Sequence, residues 1–142
     1  METITSKQEN YKAIYIADND IVSLINTVRN GINFNNFLSM VVGINFNLHE
    51  WSTILHLSDR TIQRYKKENI TFEPLQSEKI LQVALIFQKG QDVFGDAEKF
   101  NIWLDAENQA LGKVKPKELL DNTFGIKMIE DELTKIEFGI LA

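Results

Sequence analysis

Residues 48–67, LHEWSTILHLSDRTIQRYKK, constrain this chain more than any other stretch. Their large apolar residues fall at Trp51, Leu55, Leu57, Ile62 and Tyr65. That spacing suits two short helices that cross steeply and bury side chains against each other and a third helix. Ser52 follows Trp51, where such a crossing leaves room only for a small side chain. Asn47 is placed to cap the first helix, and Glu50 three residues later completes a capping box. Ser58 is placed to cap a second helix running from Asp59 to Lys67. The turn position usually held by glycine is His56, a residue that tolerates positive φ better than most. The pattern is that of a helix-turn-helix.

The second helix supplies the candidates for DNA contact: Ser58, Arg60, Gln63, Arg64 and Lys67. Arginine reads guanine by a bidentate pair, glutamine reads adenine, and lysine mostly meets phosphate. A charged face alone would be an ordinary solvated helix surface; its position after a capped turn favours the DNA reading. Asp59 repels phosphate and is better placed as a complement to the helix dipole. The formal net charge of −5 argues against DNA only on average. Residues 1–90 hold nine basic and nine acidic residues, whereas residues 91–142 hold six and eleven. Within 58–67 there are four basic residues against one acidic. A single copy should therefore bind DNA modestly, and a homodimer would double the phosphate contacts on operator DNA.

The remaining pattern is helical throughout, and the fold class expected is all-α. Ile21, Leu24, Ile25 and Val28 recur at helical spacing up to Gly31. Phe34, Phe37, Leu38 and Val41 form a short helix before Gly43. Pro74 opens a long helix to about residue 93, where its missing N–H costs nothing. Leu75, Ile80, Leu81, Val83, Ala84, Leu85 and Phe87 give that helix more than one apolar face, so it should lie between layers. Asp96 caps a helix with Ala97, Phe100, Trp103 and Leu104; a loop through Gly112 leads to Pro116 and a short helix with Leu119 and Leu120. Asn122 or Thr123 caps a last helix with Ile126, Ile129, Leu133, Ile136 and Ile140. The expected division is a lead over 1–17, a helix-turn-helix domain over 18–73, a connecting helix over 74–93 and a C-terminal module over 94–142.

Composition removes other classes. There is no cysteine, so disulfides and thiolate metal sites are excluded. His49 and His56 flank Trp51 with only Glu50 as a further ligand nearby, which favours structural roles over a metal site. No nucleophile lies beside a base in a recognisable turn and no glycine-rich phosphate loop occurs, so neither catalysis nor a cofactor is expected. The start, METITSKQEN, lacks a signal pattern and no apolar run reaches membrane-spanning length, so the expected location is the cytoplasm, with no membrane partner.

Residues 94–139 carry Phe94-Gly95, Ala97, Trp103-Leu104, Asn108, Ala110-Leu111-Gly112, Pro116, Glu118-Leu119-Leu120, Thr123, Gly125, Leu133, Ile136 and Phe138-Gly139. In that order the stretch resembles the toxin-binding domain of the Xre/MbcA/ParS antitoxins, partners of RES-domain toxins. Arg29-Asn30-Gly31-Ile32 and Leu57-Ser58-Asp59-Arg60-Thr61-Ile62-Gln63-Arg64 extend the resemblance into the N-terminal half, over about residues 18–140. Departures are Glu107, where the family often has proline, and Lys113, where a second glycine is common. The resemblance implies an antitoxin of a type II pair. Its toxin would consume NAD in an ADP-ribosyltransferase-like site, be neutralised by direct binding, and share an operon repressed through the helix-turn-helix. Loop and tail residues are the interface candidates: Asn108, Lys113, Lys115, Phe138, Gly139, Ile140, Leu141 and Ala142. A tail folded back on its own domain is the competing reading. The competing functions are a stand-alone regulator whose C-terminal module only dimerises, and an inhibitor with a degenerate helix-turn-helix.

Overall fold

The computed structural model describes residues 20–139. The lead over 1–17 and the tail residues Ile140, Leu141 and Ala142 lie outside the described residues. Among the described residues seven α-helices follow one another: α1 (Ile21–Asn30), α2 (Phe34–Met40), α3 (Leu48–Ile54), α4 (Asp59–Glu68), α5 (Pro74–Phe94), α6 (Ala97–Leu104) and α7 (Thr123–Glu137). Two 3-10 turns, Gln109–Leu111 and Pro116–Leu119, sit between α6 and α7. Among the described residues the only β pairing is two isolated bridges, Asn33 with Thr71 and Asn108 with Val114. The all-α expectation is met.

Local chemistry starts these helices where the sequence signals it. Asp20, Asn33, Asn47, Ser58, Asp96 and Asn122 each accept a backbone N–H of the first turn. Asn47 and Glu50 complete the capping box in both directions. Pro74 occupies the first turn of α5. Gly31 ends α1 at φ +80°. A Cβ there would meet the Phe72 carbonyl oxygen and the Thr71 side chain at 2.6 Å, so close chain approach also demands glycine.

That approach closes the N-terminal half. Phe72 N–H donates to the Ile32 carbonyl at 2.8 Å, and Ile32 N–H donates to the buried Ser77 hydroxyl at 3.0 Å. Phe34, Phe37, Trp51 and Phe72 are buried above it, with edge-on contacts of Phe37 to Trp51 and Phe72 at 5.0 and 5.3 Å. A second aromatic group, Phe87, Phe94, Phe100 and Trp103, fills the other end. Helix α5 links the two, burying Ile80, Leu81, Val83, Ala84, Ile86 and Phe87. It packs against α1 on one side and α6 and α7 on the other, and the buried residues form one continuous core. Ile126, Ile129 and Leu133 of α7 close that core.

Five apolar positions depart from the sequence pattern. Ile21, Ile25, Leu38, Leu75 and Ile136 are exposed. Leu75 lies in the first turn of α5, ahead of where that helix meets its neighbours, and Ile136 lies in the last turn of α7.

Candidate DNA and partner surfaces

The DNA candidates share α4. Ser58 spends its hydroxyl on the helix cap, accepting from Thr61 N–H at 3.0 Å. Arg60, Gln63, Arg64 and Lys67 are exposed, while Ile62 anchors the opposite side of the helix completely buried. Arg64 lies over the Tyr65 ring at 5.4 Å and within 3.9 Å of Glu68. Both contacts are surface ones that a phosphate or base edge would displace at little cost.

The crossing of α3 and α4 is locked by polar contacts. His56 takes φ +56° in the turn. Buried Ser52 donates to Asp59 Oδ1 at 2.7 Å, and His49 Nδ1 lies 3.0 Å from the same oxygen. The Ser52 hydroxyl, and secondarily His49, hold the Asp59 carboxyl below the usual carboxylate range. Asp59 therefore does more than complement a dipole: it ties the two helices together. The two histidines face separate partners. His56 Nε2 donates to the Asp121 carbonyl at 2.7 Å, joining the turn to the C-terminal half.

Further contacts cross the same seam. Asn101 of α6 donates to the Gly43 carbonyl at 2.7 Å and accepts from Asn45 N–H at 3.1 Å. Lys117 reaches Glu50 Oε2 at 2.7 Å and Asp105 Oδ1 at 2.6 Å. Asp105, then Glu50, hold the Lys117 ammonium above its ordinary pKa. Lys117 and Lys115 together lower that of Asp105. Glu50 thus caps α3 with one oxygen and grips the C-terminal half with the other. None of these partnerships has a signature in local sequence.

The loop and tail candidates divide. The Asn108 side chain accepts from Ala110 N–H at 2.9 Å, and its backbone pairs with Val114, so it builds the loop. Lys113 is exposed at φ +64°, the left-handed conformation for which a glycine would be the easier residue. Lys115 is partly engaged with Asp105 at 3.3 Å. Phe138 is 69% exposed and Gly139 turns the chain at φ +66°. The structure joins Asn108 and Lys113 in one loop, the Lys113 N–H donating to the Asn108 carbonyl at 2.8 Å, and leaves Phe138 and Gly139 at the end of α7. It also shows exposed apolar residues that the sequence reading passed over: Phe124, 85% exposed, and Ile102, 63% exposed.

A helix-turn-helix fused through a shared core to a small helical domain defines a two-domain, all-α protein. Residues 25–85 match the antitoxin Xre-like helix-turn-helix domain, and residues 89–139 match the antitoxin Xre/MbcA/ParS C-terminal toxin-binding domain. The chain belongs to the Xre/MbcA/ParS antitoxin family. No curated protein matches the sequence. Among solved structures, a chain of the M. tuberculosis MbcT–MbcA toxin–antitoxin complex is similar at 15% identity and a TM-score of 0.58. The match covers 75% of this chain and 94% of that one, and at this identity it establishes likeness of fold. Among the described residues no helix is long and apolar enough to cross a membrane.

Proposed function

We propose that this chain neutralises a RES-domain, NAD-consuming toxin by direct binding in the bacterial cytoplasm, and represses its own operon as a homodimer on operator DNA. The observation that carries the reading is the pairing of two surfaces on one core. The exposed face of α4 with Arg60, Gln63, Arg64 and Lys67 belongs to the helix-turn-helix, and the other surface lies in the toxin-binding domain. Ser58 caps the reading helix; Arg60, Gln63 and Arg64 meet base edges and Lys67 meets phosphate. On the other surface, Lys113, Lys115 and the tail Phe138, Gly139, Ile140, Leu141 and Ala142 cover the entrance to the toxin's site, on a loop that Asn108 holds in shape. NAD belongs to the toxin, and this chain supplies inhibition by occupancy. The MbcA relative, solved in complex with its toxin, supports a toxin partner.

Co-expression tests the reading. The chain should restore growth and cellular NAD to cells expressing the RES-domain protein of its own operon. It should also retard the operon's promoter DNA in a salt-dependent manner. Failure to rescue growth would remove the antitoxin function. Rescue without promoter binding would leave it a pure inhibitor.

A further inference from the structure

A groove of about 510 Å³ runs along the seam between α6 and the turn before α3. One wall is α6, which turns Glu98, Ile102 and Asp105 outward at helical spacings of four and three. The other wall is Phe46 with the Gly43–Asn45 backbone, which the Asn101 amide holds in place. The floor is therefore preformed. Ile102 stands 63% exposed on a helix whose Phe100 and Leu104 are fully committed to the core.

The charges of the groove are not equivalent. Asp105 is answered by Lys115 and Lys117, and Lys117 is shared with Glu50. Glu98, exposed at the other end of the stripe, has no basic partner among the described ion pairs. The groove thus offers apolar surface with one unanswered carboxylate beside it.

We propose that this groove is a second docking site for the toxin. It would receive a segment whose apolar side chain lies against Ile102 and Phe46 and whose lysine or arginine meets Glu98. The proposal rests on the antitoxin reading above. What selects the toxin as occupant is position and charge. Most of the lining belongs to the toxin-binding match over 89–139. An acidic rim would repel DNA and attract a basic partner segment. An antitoxin gripping here would hold the toxin body through the seam while other residues cover its active site.

The full chain and the toxin of its own operon provide the test, by titration calorimetry at two salt concentrations. Ile102→Glu should weaken binding at least about tenfold, as loss of a central apolar contact does. Glu98→Lys should weaken it by about tenfold and flatten the salt dependence. Both sites are exposed, so melting curves should match the parent, and Ile102→Ala gives a gentler second variant. Affinities within about twofold of the parent for all three would overturn the proposal. So would variants that lose self-association while keeping toxin affinity, because the groove would then belong to a second copy. Absence of toxin binding by the parent itself would overturn the antitoxin reading, and this site with it.

Discussion

Replacing Gly125 with alanine should destabilise the protein, although alanine is the better helix former. Gly125 lies in the first turns of α7 with ordinary helical backbone, and it is buried. On helix propensity alone the substitution would gain about 1 kcal/mol. A Cβ there would overlap the Leu119 carbonyl oxygen and come within 2.8 and 2.9 Å of the Leu119 carbonyl carbon and Cβ. The obstacle is backbone at the end of the 3-10 turn Pro116–Leu119, so rotamer change cannot relieve it. Overpacking of this kind costs about 1–3 kcal/mol, and a backbone obstacle places it near the top. The net loss is then about 2 kcal/mol, or a fall in melting temperature of roughly 6–8 °C for a domain of this size. Relief by outward movement of the turn would also displace Lys117 and weaken its grip on Glu50 and Asp105. Urea and thermal unfolding of parent and variant, followed by circular dichroism, measure the difference. A variant as stable as the parent, or more so, would refute the close approach of α7 to this turn.

Other expectations follow from single contacts. Trp51→Ala, which empties a site enclosed by Phe37 and Phe46, should cost about 3–5 kcal/mol in urea unfolding; an unchanged midpoint would contradict its burial. Lys113→Gly should stabilise by about 0.5–1 kcal/mol, since the relief of a left-handed residue exceeds the added entropy of the unfolded chain; a loss of stability would show that the lysine side chain contributes more than its backbone costs. Asp59 has a depressed folded-state pKa, so its contribution is present above the unfolded value and lost as pH falls through the folded one; Asp59→Asn should reduce the acid sensitivity of unfolding, and identical pH profiles would exclude it as a titrating contributor. Arg60→Ala or Arg64→Ala should cost about 1–3 kcal/mol in promoter affinity where the residue reads a base, or lower the salt slope by about one where it meets phosphate; gel shifts across salt concentrations separate these, and unchanged binding in both variants would detach α4 from DNA.

What the sequence made legible is what depends on near neighbours. Asn47, Ser58, Asp96 and Asn122 announce helix starts because a cap is satisfied within three residues. Ile62 and Leu133 announce burial because helical spacing fixes a face. The seam was not legible for the opposite reason. His56 finds Asp121 across 65 positions, and Lys117 finds Glu50 only because α5 brings the two halves together. Ile102 falls outside the Phe100, Trp103 and Leu104 set that marks α6 in the sequence, and only the packing of that helix places it on a groove. The match of residue order to an antitoxin family carried the functional expectation further than spacing could, but it did not say which side chains face outward.

A helix shared by both domains also sets when the protein becomes a protein. As the chain leaves the ribosome, the aromatic group around Trp51 needs Phe72 and α5 before it can close. The far side of α5 then waits for α6 and for Ile126, Ile129 and Leu133 of α7. At roughly 5–20 residues per second, the interval between emergence of residue 94 and residue 139 is about 2–9 s. During that interval α5 exposes an apolar flank, and a nascent chain is open to proteases and chaperones although its helix-turn-helix sequence has already been made. The finished C-terminal surface and the finished stability of the helix-turn-helix half therefore arrive together, once α7 has emerged.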